Sequence, residues 1–254
     1  MKLNYQVQGS GQPLIILHGL FGSSDNWRVI AKQLADYAQV ITVDLRNHGL
    51  SPHSADQNYE LMADDLLELI DDLQIGAVDI IGHSVGGKVA MEFSQHYSSY
   101  CRRLVVVDIA PKQYADEHSA IFKALLSLDL TLYNRRSDVD TELAKVIGNK
   151  AVRQFLLMNL DIDNEVLTWR INLQSIFNNY VNLLKPVADR RSISLPVCFI
   201  KGERSSYILD SDELLIESVY PEAELYTIKQ AGHWVHAEAP QDFLTKVIEF
   251  LSYD

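Results

Sequence analysis

The sequence predicts an α/β protein built on a mostly parallel, doubly wound sheet. Short β-branched or aliphatic runs alternate along the chain with amphipathic stretches, and those runs are continuous rather than alternating apolar and polar. Continuous runs belong to strands covered on both faces, and a strand–helix alternation implies right-handed crossovers between parallel strands. A third observation is a stretch from Pro111 to Arg191 in which the strand rhythm stops. It predicts a helical insertion between two strands of one sheet.

The elements follow in order. Met1 to Gln8 reads as an edge strand, and Pro13–Leu17 (PLIIL) as the first buried one. Gln39–Leu45 (QVITVDL) is the next. After Asn58, a plausible N-cap, Met62, Leu66, Leu69, Ile70 and Leu73 keep helical spacing, with Asp64, Asp65, Glu68, Asp71 and Asp72 mainly on the other face. Ala77–Ile81 (AVDII) is a strand, and Val89, Ala90, Phe93 and Tyr97 form the stripe of the helix after it. Arg103–Val107 (RLVVV) precedes the insertion, which reads as helices at Ile121–Leu128, Asp138–Ile147, Lys150–Leu160 and Glu165–Leu184 with no strand. Pro196–Ile200 (PVCFI) and Glu224–Ile228 (ELYTI) resume the sheet. The expected division is a core of residues 1–110 and 192–254, with residues 111–191 as a helical cap over the sheet's carboxyl edge, where ligands of such sheets bind.

Composition narrows the function classes. The 254 residues suffice for one sizeable core, and 47% hydrophobic with 22% charged residues is ordinary for a globular chain. A formal net charge of −12 and no basic stripe argue against nucleic acid as a partner. No apolar run approaches the roughly 20 residues that span a bilayer, so no membrane partner is expected. The N-terminus lacks the apolar stretch of a secretory leader, which with the cysteines points to the cytoplasm. Cys101 and Cys198 lie far apart with no Cys-x-x-Cys pair, as expected of two reduced structural residues. The expected partner is a small-molecule substrate, and the chain a monomer or small homo-oligomer.

The chemistry concentrates in Gly82-His83-Ser84-Val85-Gly86, a Gly-x-Ser-x-Gly sequence between a buried strand and a helix. A nucleophile on so sharp a turn leaves no room for side chains two residues to either side, and both positions are glycine. A serine hydroxyl needs a base to remove its proton. Of eight histidines, His233 lies just past the last strand, in the order this elbow type requires. His236 sits deeper in the following turn, His83 beside Ser84 should point away, and His18 and His48 read as loop-fixing residues. After the first buried strand, His18-Gly19-Leu20-Phe21-Gly22-Ser23 can aim a backbone N–H at a reacting carbonyl. Leu20 is the first choice and Phe21 the second, with Val85 N–H as the other oxyanion donor. No cofactor and no metal are expected, because no Cys/His/carboxylate cluster has ligand spacing and no His-Glu-x-x-His supports a metallohydrolase built on His233 and His236.

Together these residues resemble the α/β-hydrolase family, over nearly the whole chain outside the insertion. More narrowly, His18–Ser23, Arg46-Asn47-His48-Gly49, Val107-Asp108-Ile109-Ala110-Pro111 and Gly232-His233-Trp234-Val235-His236-Ala237 look like the YbfF-type bacterial esterases. The resemblance implies an α/β-hydrolase fold with the cap inserted after the sixth strand. It also implies a serine esterase acting on short acyl esters, with acyl thioesters such as acyl-CoA as a further class. Carbon–carbon hydrolysis, lyase or perhydrolase chemistry could use the same residues, and a non-catalytic small-molecule receptor could use the same fold.

One position departs from the family. Where many members carry the triad acid, after the strand ending at Ile200, this chain reads Gly202-Glu203-Arg204-Ser205. The expected acid is therefore Asp108, at the carboxyl end of Leu104-Val105-Val106-Val107, reaching His233 across one strand whose turn holds only the small Ser205. Glu203 sits too early and Asp210 too late, though both remain rivals. Phe21, Tyr114, Phe122 and Trp169 are the candidate substrate contacts. Phe155, Phe177 and Tyr180 share the aromatic character of the insertion, and packing among its helices explains all of these aromatics equally well.

Overall fold

A computed structural model describes residues 1–163, 166–187 and 191–252. Five strands precede the insertion: β1 (Tyr5–Gln8), β2 (Pro13–Leu17), β3 (Gln39–Val43), β4 (Val78–His83) and β5 (Cys101–Val107). Three α-helices lie among them: α1 (Arg28–Leu34), α2 (Tyr59–Leu73) and α3 (Val85–His96). Asn58 caps α2, its side-chain oxygen accepting from Leu61 N–H at 2.8 Å.

Within the insertion stand α4 (Ser119–Leu126), α5 (Arg136–Leu143), α6 (Lys150–Leu157), β6 (Leu160–Asp163), β7 (Val166–Trp169), α7 (Leu173–Asn178) and α8 (Tyr180–Leu184). Then come β8 (Val197–Gly202), α9 (Glu213–Val219), β9 (Glu224–Ile228), α10 (Val235–Glu238) and α11 (Pro240–Leu251).

The large sheet runs β1-β3-β2-β4-β5-β8-β9, parallel throughout except for β1, which pairs antiparallel with β3. Its strands alternate sides residue by residue. Ile15, Leu17, Ile80 and Val106 pack toward α2 and α3, while Leu14, Ile16, Ile81 and Val105 pack toward α1 and α11. Each such side chain is essentially inaccessible, and its burial contributes about 1.5–3 kcal/mol, which is why both faces of these strands carry apolar residues.

Three expectations need correction. The insertion follows the fifth strand in chain order, not the sixth. One edge strand, β1, precedes Pro13, as Met1 to Gln8 suggests. The insertion is also not strand-free, because β6 and β7 pair antiparallel, Leu160 opposite Trp169. The helix expected from Glu165 to Leu184 starts at a residue outside those described, and its described part is β7, α7 and α8. Leu160-Asp161-Ile162-Asp163 alternates apolar and acidic residues with a period of two, the pattern of a half-exposed strand, which two aspartates disguise. Finally, Asp65 does not lie on the solvent face of α2 but is buried, accepting from Arg46 Nε at 2.6 Å and Nη2 at 2.8 Å.

The insertion is fastened to the core at several points. Asn172 donates its backbone N–H to the Asn47 carbonyl at 2.9 Å, Asn159 Nδ2 donates to the Phe21 carbonyl at 2.7 Å, and Tyr59 Oη donates to the Leu183 carbonyl at 2.6 Å. Among the described residues no helix is long and apolar enough to cross a membrane.

Candidate active site

The site begins with backbone strain. Ser84 joins β4 to α3 at φ +51°, ψ −117°, a region that β-carbon-bearing residues rarely occupy and that costs about 1–3 kcal/mol. Its neighbours explain the two glycines around it. A Cβ on Gly82 would stand 2.3 Å from the Gly86 carbonyl oxygen, and one on Gly86 would stand 2.5 Å from that of His18. The turn sets Ser84 at the amino end of α3, where the first N–H groups have no partner within the helix. Val85 N–H is the first of these.

Leu20 and Phe21 occupy the middle of a turn closed by Gly22 N–H to the Gly19 carbonyl at 3.0 Å, with Phe21 at φ +60°. His18 fixes the loop from below. Nδ1 donates to the Gly19 carbonyl at 2.8 Å while Nε2 accepts from Leu45 N–H at 3.0 Å, an arrangement open only to the neutral ring. Burial, the largest influence, lowers the His18 pKa accordingly.

Asp108 follows β5 at φ +52° with a fully buried side chain. Its Oδ2 receives His233 Nδ1 at 2.7 Å. A carboxylate can only accept, so Nδ1 carries the proton and His233 Nε2 presents its lone pair. Two further donors hold the carboxylate: Gly202 N–H to Oδ1 at 3.1 Å, and Ser205 Oγ–H to Oδ2. The reach crosses β8, and Gly202 makes it possible, because a Cβ there would stand 2.2 Å from the Gly232 carbonyl oxygen. The rival acids are engaged elsewhere. Glu203 accepts from Gln230 N–H at 2.9 Å, and the exposed Asp210 pairs with Lys201 at 3.0 Å.

His83, next to Ser84, does not simply point away. Its Nε2 donates to the His233 carbonyl at 2.9 Å, and burial followed by the nearby His233 and His236 holds its pKa well below the ordinary histidine range. His236 is buried flat against Trp27, ring centroids 4.0 Å apart, with its pKa lowered by burial to about 3. Among the described residues no group of three or more His, Cys, Asp or Glu could hold a metal ion.

Ser84 stands where two cavities meet. The larger, about 240 Å³, is walled by Phe21, His118, Phe155, Tyr207, His233 and Trp234. The smaller, about 40 Å³, is walled by Val85, Tyr59, Lys88, Ile109, Tyr114 and Tyr180. Ser84 and Leu20 line both. Phe21 and Tyr114 thus face the site as expected. Phe122 does not, being fully buried against Phe21, Phe177 and Tyr180, and Trp169 pairs within the β6–β7 hairpin away from both cavities. Phe122 sits on the inner stripe of α4, so its size fills the joint between insertion and core. Sequence reading missed Tyr207, stacked on the His233 ring at 3.9 Å, as well as His118, Trp234 and Lys88. Tyr207 follows Ser205 by two residues, but nothing in that spacing signals a stacking role.

Comparison with known proteins identifies the family. A family model described as the alpha/beta hydrolase fold matches residues 12–205. The sn-1-specific diacylglycerol lipase ABHD11 of Danio rerio is 38% identical, spanning 99% of this chain and 83% of its own length. Esterase YbfF of Escherichia coli (strain K12) is 36% identical, over 99% of this chain and 100% of its own. Among solved structures, a marine microorganism esterase superposes with a TM-score of 0.96 at 43% identity, covering 98% of this chain and 99% of that one.

Proposed function

The chain belongs to the α/β-hydrolase family, and from that premise we propose that it is a serine carboxylesterase hydrolysing short acyl esters through an acyl-enzyme on Ser84. The observation that carries the reading is the Asp108–His233 contact at 2.7 Å, which leaves Nε2 free on a ring that lines one cavity with Ser84.

In this reading Ser84 Oγ attacks the ester carbonyl as His233 Nε2 takes its proton. The oxyanion is held by Leu20 and Val85 N–H, each worth about 3 kcal/mol in the transition state. Asp108 stabilises the imidazolium without taking the proton. His233 then protonates the leaving oxygen, and water releases the acid by the same steps in reverse roles. Nucleophile, base and electrophilic donors all come from the chain itself.

The two cavities divide the substrate. The leaving oxygen must come within hydrogen-bond reach of His233, which lines the larger space, so the alcohol lies there. The acyl group takes the smaller space of about 40 Å³, room for a few heavy atoms. That supports short acyl chains. An acyl thioester presents the same electrophile, with a thiol in place of the alcohol.

Ser84→Ala tests the reading. Turnover of a short ester should fall by on the order of 10⁴-fold or more, with the thermal melting profile unchanged because the elbow accepts a smaller side chain. Near-normal turnover in that variant would overturn the assignment.

A further inference from the structure

The smaller cavity holds a charge that ester hydrolysis does not need. Lys88 lies one turn along α3 from Ser84, its backbone N–H bonding the Ser84 carbonyl at 3.1 Å. The residue is 1% exposed, yet its side chain helps wall the cavity assigned to the acyl group. Nζ donates to the carbonyls of Lys112 at 2.7 Å and Lys185 at 2.5 Å, and it stands over the rings of Tyr114 at 4.8 Å and Tyr59 at 5.5 Å. No carboxylate among the described residues pairs with it.

An ammonium carries three donors, and two carbonyls take two of them. Bridging two carbonyls does not call for a charge, since a neutral side-chain amide also carries two N–H donors. A buried ammonium without an anion is costly, and carbonyl dipoles and ring faces compensate it only in part. The Lys88 pKa reflects this: burial first, then the nearby Lys112, lower it to about 7. Lys112 is itself paired with Asp212. The other ionised group on the cavity wall, Glu117, is exposed, where solvent and salt screen it.

We propose that Lys88 anchors a carboxylate at the far end of the acyl group, so that the preferred substrates are half-esters of a short dicarboxylic acid. The inference rests on the serine-esterase reading and names the substrate class of that site. The chemistry balances without a further reactant. The acyl C–O bond breaks as the acyl carbon joins Ser84 Oγ, the alcohol leaves with the proton held by His233, and water releases the dicarboxylate. The carboxylate would accept the third Nζ–H and neutralise the cation, while the tyrosine rings line the short methylene spacer.

The test compares monoethyl succinate with ethyl 4-methylpentanoate, its uncharged isostere, by titrating the acid released. Wild-type protein should favour the half-ester in kcat/KM by about 10- to 100-fold, the worth of a hydrogen bond to a charged group. Free succinate should inhibit competitively at concentrations where the uncharged 4-methylpentanamide does not. Lys88→Met should reduce the ratio of the two kcat/KM values by a similar factor. Should that variant fail to fold, the wild-type ratio and the inhibition pattern decide. Preferential hydrolysis of the uncharged ester by wild type, or a ratio that survives Lys88→Met, overturns the proposal while leaving the esterase reading intact. Hydrolysis of neither ester overturns the esterase reading, and this one with it.

Discussion

At the scale of single residues, Asp108 gathers the most consequence. A residue at φ +52° with a wholly buried carboxylate is doubly unfavourable unless its surroundings hold it, and Gly202 N–H, Ser205 Oγ and His233 Nδ1 do so. Asparagine tolerates the same backbone region. Asp108→Asn should therefore fold, but its amide cannot stabilise the imidazolium, and turnover should drop on the order of 10⁴-fold. Glu203→Gln and Asp210→Asn should stay within about twofold, as surface changes away from the chemistry do. Steady-state kinetics on the three variants checks this, and a loss in Glu203→Gln or Asp210→Asn with Asp108→Asn active would move the acid to the later strand. Much of this arrangement was legible in the sequence, because Ser84 sits in a glycine-flanked turn and Ser205 stands where an acid is usual. What escaped it were contacts between strands distant in sequence. That Gly202 must lack a Cβ, or that Tyr207 lies flat on His233, depends on how closely the loop after β9 passes over β8.

At the scale of elements, legibility followed burial. The strands buried on both faces show as largely apolar runs, and β2 falls where Pro13–Leu17 places it, while the half-exposed edge strand β9 was legible from the β-branched and aromatic character of Glu224–Ile228. The Asn58 cap and the apolar spacing behind it mark α2 equally well, although Asp65 turned inward to Arg46. The insertion was harder, since its elements are short and half-exposed. Ile162 and Val166 in the β6–β7 hairpin are largely exposed, so no continuous apolar run announces them. A five-residue helix such as α8 is held by neighbours rather than by propensity, with Tyr180 packed on Phe122 and Leu183 bonded through its carbonyl to Tyr59. Aromatic side chains on such pieces can serve core or cavity. Phe155 reached the cavity and Phe122 the core, a difference set by the seating of each helix and not by composition.

At the scale of the whole molecule, the carboxyl edge of the sheet concentrates buried histidines. His48 and His236 are held near a pKa of about 3 by burial first, and His18 and His83 are also lowered. The unfolded chain binds protons on these rings below the ordinary histidine value of 6.5, where the folded chain does not. Their stabilising share is therefore complete above pH 6.5 and is lost as pH falls toward 3. For His236 the loss is about 1.4 kcal/mol per pH unit, or about 2 kcal/mol at pH 5. His236→Phe keeps a ring against Trp27 and removes that titration. Denaturant unfolding should show the variant gaining about 2 kcal/mol on wild type between pH 7 and pH 5; an unchanged gap would mean that His236 is protonated in the fold.

The proposed mechanism centres on Ser84 as the nucleophile, raised by the elbow and activated through His233 and Asp108. The most direct measurement is reaction with a fluorophosphonate followed by peptide mapping, since such reagents capture only a serine whose proton is being removed. The expected result is a single adduct on Ser84, abolished in Ser84→Ala and strongly slowed in Asp108→Asn. An adduct on another serine, or no adduct on a protein that hydrolyses esters, would contradict it.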